Sequence, residues 1–367
     1  MNHLLNGTLL TPERAGEFND RDLSILVRHA RSCGLLAALC VRLKQTNQFE
    51  GLPIEAQRHL HSALVVADKQ ARDLKYELKW IKRALDSVNI KSVLLKGAAY
   101  ILADLPSGRG RLISDIDLLI PKSKIEDAEC ALKEFGWHNG EYSAYDERYY
   151  RQWMHEIPPL GHPKRGSTID VHHTILPPTA APNVDANLLF ANTVEIGDGL
   201  YGLAPIDMVI HSATHLFHEG EFHHGLRDLW DIDRMLRDFS ARIPTFWREL
   251  APRAEQLDLT DSLFHGLVYS NQVFSTPLPN HVVSQASNWS RKLKKPMMNF
   301  LFKRAFSPDQ PETRWPLTDT ALNALYVRSH YLRMPLRLLM PHLLRKAWTR
   351  RFQDKQTSEG ITNAAEA

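Results

Sequence analysis

Apolar positions recur at helical spacing over most of this chain. Within 21–47, Leu23, Ile25, Leu26 and Ala30, then Leu35, Leu36 and Leu39, follow a period near 3.6 and predict helix, with Gly34 dividing it in two. Pro53 suits a helix start. The run 54–88 then predicts one long helix through Leu60, Leu64, Ala67, Leu74, Leu78, Ile81 and Leu85, its other face alternating in charge. From Pro205 the helical period returns in IDMVIHSATHLFHEG and LRDLWDIDRMLRDF, then beyond Pro244, and again near 318–334 and 336–353. Pro-rich segments at 276–280 and 306–316 read as linkers.

The texture between Asn89 and Asn183 is different. Val93–Leu95 is a short apolar run that ends in Lys96-Gly97, which predicts a strand and a turn before the helical AAYILADL. PSGRGRLIS carries Pro106, Gly108 and Gly110 and predicts a loop. DIDLLI, 115–120, predicts a strand closed by Pro121. Helix is expected over 122–136, with Ser123 as N-cap and Glu126 as its capping-box partner. A strand-rich stretch then begins with the aromatic Tyr150–Ile157, followed by a turn at PPLGHPKRGS. TIDVHHTI, 168–175, alternates cleanly: Thr168, Asp170, His172 and Thr174 share one side. The expected architecture is α+β, a small mixed sheet at 89–183 between helical regions at 1–88 and 184–355. A frayed tail is expected at 356–367.

Composition adds bounds. The 367 residues are 43% apolar and 24% charged, which is a globular balance. Three cysteines make no disulfide framework, and no basic-then-apolar leader or membrane-length apolar run is present, so a cytoplasmic setting is expected. The net charge of +3 hides an asymmetry. Residues 291–355 hold 15 Lys+Arg against 4 Asp+Glu, a local +11, so the remainder sums to −8. Within that region 332–352 is apolar on one side and basic on the other. It reads as a helix covering the core, as a peripheral contact with the inner membrane, or as an RNA contact through Trp348 among arginines. No RRM, KH or zinc-finger pattern supports nucleic acid, and oligomeric state has no sequence signal.

Asp115 and Asp117 carry the sharpest chemistry. At i and i+2 of a strand they share a face, about 7 Å apart at about 3.3 Å per residue. Two carboxylates on one face repel unless they are hydrated or neutralised by a cation. Oxygen ligands of this kind suit Mg²⁺, which also binds substrate phosphates. Asp170, in a second short strand, is the natural third carboxylate, as an ion ligand or as the proton acceptor of an attacking hydroxyl; otherwise it is a surface residue of an edge strand. Lys96-Gly97 stands between strand and helix, where glycine lets backbone N–H groups approach a phosphate. The Walker pattern is absent. Arg109 and Arg111 lie close enough in sequence to reach phosphates, or to pair with the acidic strand. His172, on the side of Asp170, would orient that carboxylate or the acceptor.

VLLKGAAY, GRGRLISDIDLLIP and TIDVHH together resemble the nucleotidyltransferase superfamily of the DNA polymerase β type, and within it a bacterial branch of nucleotidyltransferase family proteins. The likeness covers about 89–175 and implies Mg²⁺-dependent transfer of a nucleoside monophosphate from an NTP, ATP first among them, to an acceptor hydroxyl with release of pyrophosphate. The implied metal ligands and catalytic residues are Asp115, Asp117 and Asp170. The implied nucleotide contacts are Lys96, Gly97, Arg111, Ser114 and His172. The Gly-Ser of better-known members is replaced here by Lys96-Gly97-Ala98. The alternative is a degenerate nucleotide binder or an adaptor at a membrane surface. His211, His215 and His218 fall at i, i+4 and i+7 of a helix; HSATH lacks the zincin glutamate, which leaves cleft lining or ordinary packing as the main readings.

Overall fold

The computed structural model describes residues 4–218, 220–285, 295–335 and 337–340. The expected tail at 356–367 and most of the amphipathic 332–352 lie outside the described residues. Helices α1 (Leu4–Leu10), α2 (Asp20–Ser32), α3 (Leu36–Gln45) and α4 (Ile54–Asp86) precede the sheet. The break between α2 and α3 falls at Gly34, whose φ of +68° suits a residue without Cβ.

Seven short strands form one mixed sheet in the order β3-β4-β5-β2-β1-β7-β6. They are β1 (Val93–Leu94), β2 (Ile116–Leu119), β3 (His138–Asn139), β4 (Leu160–Gly161), β5 (Thr168–His172), β6 (Val194–Gly197) and β7 (Leu200–Gly202). β2 runs antiparallel to β1 and parallel to β5. The sheet therefore draws β6 and β7 from beyond residue 183. The two acidic strands are shorter than their hydrophobic patterns: β2 begins after Asp115, and β5 ends at His172.

Helices α5 (Lys96–Leu102) and α6 (Ile125–Glu134) fill connections within the sheet. The expected Ser123 cap is not made. A short 3-10 turn occupies Lys122–Lys124, and α6 starts one residue later at Ile125, without a side-chain cap. The strand expected at 150–157 is also corrected. Its first half is the end of helix α7 (Ala144–Trp153), capped by Ser143 accepting from the Asp146 N–H. Tyr145, Tyr149 and Trp153 recur every four residues, which is helical spacing that period-two alternation concealed. Part of the expected turn at PPLGHPKRGS is strand β4, one arm of a hairpin with β5.

After α8 (Ala186–Ala191) and the β6–β7 hairpin come α9 (Pro205–His218), α10 (Gly225–Arg242), α11 (Phe246–Gln256) and α12 (Thr260–Phe274), then helices Lys295–Ala305 and Thr318–Arg333. One apolar cluster joins all three regions, from Leu39 and Leu85 through Val93, Leu118 and Val171 to Ile210, Leu229 and Phe302, each fully buried. A buried ion pair fixes α9 to α11: Arg253 Nε and Nη2 reach the two Asp207 oxygens at 2.7 and 2.8 Å. Both flanking regions thus hold the sheet from which the acidic residues project.

Candidate active site

Asp117 lies in a strand whose residues are all buried, and Ile116, Leu118 and Leu119 anchor it. The β2–β5 register sets Asp117 beside Asp170. In-register neighbours on adjacent strands project to one face, and Asp115 lies just before β2. Asp117 and Asp170 are thus side by side, and the Asp115 charge also reaches Asp170. Ser114 Oγ donates to Asp115 Oδ1 at 3.0 Å. Asp170 Oδ1 is buried with no hydrogen-bond partner among the described residues. An orphaned buried carboxylate oxygen beside two further carboxylates suits a hard divalent cation, so the donor set fits Mg²⁺.

Lys96 is neither a solvent residue nor a bystander. Its Nζ donates to Asp117 Oδ1 at 2.8 Å. Its φ of +47° puts a non-glycine residue in the left-handed region, which costs roughly 1–3 kcal/mol and clusters at functional sites. Burial alone would lower its pKa, but the Asp117 carboxylate raises it above the ordinary lysine value. His172 Nε2 faces the same Asp117 oxygen at 2.9 Å. The expected partnership of His172 with Asp170 is therefore replaced by one with Asp117. Burial would raise the Asp117 carboxyl, yet the Lys96 ammonium and the His172 ring hold it well below the usual carboxylate range. Asp170 goes the other way: burial, then the Asp117, Glu156 and Asp115 carboxylates, push it up to about 7. Two adjacent carboxylates are thus pushed in opposite directions.

Gly97, the second residue of α5, lines a cleft beside Lys96 and is closely approached by Arg111. A Cβ there would lie 2.6 Å from Arg111 Nε. Gly97→Ala is expected to displace Arg111 and to destabilise the fold by about 1–3 kcal/mol. Thermal melting checks it, and an unchanged melting temperature would show that the contact is not held. Arg111 itself pairs with α10, through Asp231 and, at 3.7 Å, Asp228, rather than with the acidic strand. Arg109 turns away and meets Asp104 at 3.2 Å.

Two clefts meet at Asp115. One, of about 120 Å³, is lined by Lys96, Gly97, Arg111, Asp115, Asp117, His215 and Arg227. The other, of about 400 Å³, lies between α4 and the start of β5, with Gln70, Tyr76, Glu77, Arg165 and Thr168 on its walls. Of the α9 histidines, His215 lines the first cleft. Burial and the Lys96 charge hold its pKa well below the usual value. His218 packs away from it, on Thr214 O at 3.1 Å and Ser262 Oγ at 3.3 Å. Sequence reasoning missed His155 and Glu156, whose segment follows α7 and runs beside β5; misreading α7 as strand hid their placement. Glu156 Oε2 stands 3.3 Å from His172 Nδ1.

A sequence model of the family described as uncharacterised nucleotidyltransferase matches residues 19–275. No curated protein and no solved structure matches the chain.

Proposed function

Because this chain belongs to the family of uncharacterised nucleotidyltransferases, we propose that it moves a nucleoside monophosphate from an NTP, ATP in the first instance, to the hydroxyl of a small-molecule or protein acceptor. The observation that carries the reading is the β2–β5 register, which sets Asp117 against Asp170, with Asp115 two residues upstream. Asp115, Asp117 and Asp170 would hold Mg²⁺, which supplies charge neutralisation for the phosphates and a lower pKa for the bound hydroxyl. The smaller cleft takes the polyphosphate: Lys96, Arg111 and Arg227 border it beside Asp115, Asp117, Asp228 and Asp231, and Mg²⁺ would offset those carboxylates. The larger cleft takes the acceptor, since Thr168 on its wall begins the strand that carries Asp170.

The acceptor oxygen forms a bond to the α-phosphorus as the bond to the β-phosphate oxygen breaks, and pyrophosphate leaves. Asp170 receives the hydroxyl proton. Lys96 has two anions within its compass, Asp117 and the arriving phosphates, and exchanges between them. Arg111, neutralised by Asp228 and Asp231, is held in place and need not move.

The test uses the full chain with Mg²⁺, each α-labelled NTP and a cell extract. Label is expected in one acceptor fraction, with one pyrophosphate released per label. A second reading has one observation in its favour: Lys96 already occupies Asp117. A degenerate binder would retain NTP, seen by calorimetry, and release no pyrophosphate with any acceptor.

A further inference from the structure

We infer that His155, Glu156 and His172 form a second metal site, built for a borderline divalent transition ion of the Zn²⁺ type and separate from the carboxylate centre. The ligand atoms of the three residues lie within 4.8 Å of one another. A β ladder preorganises them: His173 N–H donates to His155 O at 2.8 Å, Ile157 N–H to Val171 O at 3.0 Å, and Glu156 bridges His172 antiparallel. The rings of His155 and His172 stack with centroids 5.1 Å apart and planes 28° apart.

Three features point to an ion rather than to hydrogen bonding. His172 is 3% exposed, and its Nδ1 has no hydrogen-bond partner among the described residues. Nδ1 of His155 is likewise buried and unmatched. His172 Nδ1 faces Glu156 Oε2 at 3.3 Å without hydrogen-bond geometry. Two ligands, each about 2.1 Å from one tetrahedral ion, stand about 3.4 Å apart.

The opposite ring nitrogen completes the pattern. His172 Nε2 meets Asp117 Oδ1 at 2.9 Å, the carboxylate–histidine arrangement that fixes a metal-bound imidazole in one tautomer. Two imidazoles and one carboxylate favour Zn²⁺, Co²⁺ or Fe²⁺ over Mg²⁺, and three protein ligands leave a fourth position for water or substrate. With the ion in place, His172 can only donate to Asp117, so the site sets the direction of that carboxylate. The inference rests on this cluster and not on nucleotidyl transfer, and its readout is metal binding.

The full chain, stripped with chelator, is titrated with Zn²⁺ by calorimetry and with Co²⁺ by visible absorption, both in excess Mg²⁺ to keep the carboxylate centre filled. One equivalent is expected to bind. Glu156→Gln and His155→Ala are each expected to weaken it by at least about 100-fold, more than loss of an outer-shell partner costs, while Asp115→Asn leaves it unchanged. Absence of binding, or binding lost in Asp115→Asn and kept in the other two, overturns the site. If the cluster variants do not fold, the wild-type chain labelled with ¹⁵N-histidine decides. Zn²⁺ must then shift imidazole nitrogens of two histidines, and an unshifted spectrum overturns the inference.

Discussion

Asp117→Asn is expected to lower nucleotidyl transfer by about 10²–10³-fold, because a metal clamp on phosphates supplies several kcal/mol and about 1.4 kcal/mol is worth tenfold. Pyrophosphate release under saturating Mg²⁺ and NTP measures it. The substitution is isosteric, so the β2–β5 register survives it. What is lost is charge at the oxygen on which Lys96 and His172 converge. A variant with transfer within threefold of the parent would remove Asp117 from the chemistry.

The same change weakens the fold, and the two effects are separable. Asp117 is 4% exposed, and its loss of charge leaves the Lys96 ammonium without its partner. Breaking a buried pair from one side costs about 3–5 kcal/mol, whereas neutralising both sides is often nearly neutral. Asp117→Asn with Lys96→Met is therefore expected to regain most of the melting temperature and none of the transfer. The pH dependence follows the Asp117 carboxyl, which is lower in the folded state than its ordinary 3.8. The unfolded chain binds this proton more readily, so the stabilisation is complete above 3.8 and is lost as pH falls through the folded value.

The acidic residues stood out as candidates because their signal is local: Asp-x-Asp and Asp170 each interrupt a short apolar segment. That Asp117 lies beside Asp170 needed the β2–β5 pairing as well. What pairs with them was not legible. Lys96 lies 21 residues from Asp117, and only the antiparallel pairing of β1 with β2 brings them together. Arg111 finds Asp231 across 120 residues through the packing of α10, which no spacing rule encodes. The long helix at 54–86 declared itself by 33 residues of one period. Strands of two residues such as β3 and β4 carry no period at all, and ladder partners alone define them. Aromatic residues at 145–153 satisfied a strand's composition and a helix's spacing together, and Ser143 at the N-cap decided for helix.

At limiting Mg²⁺ the transfer rate is expected to rise with pH through about 7 and then level, with Asp170→Asn abolishing that limb and costing about 10²–10⁴-fold at the plateau. Asp170 is the carboxyl pushed up to about 7, by burial first and by three neighbouring carboxylates after it. Below that value it carries the proton it has to accept, so the active fraction falls about tenfold per pH unit. Its sign in stability is opposite to that of Asp117. The folded state binds this proton more tightly than the unfolded chain at 3.8, so a favourable contribution present below 3.8 is lost as pH rises through 7. A cation between the carboxylates offsets both the burial and the repulsion that raise the group. More Mg²⁺ is therefore expected to move the acidic limb to lower pH, and the Asn variant shows no such movement. A limb that persists in Asp170→Asn would assign the titration elsewhere, and a limb indifferent to Mg²⁺ would place the cation away from this carboxylate.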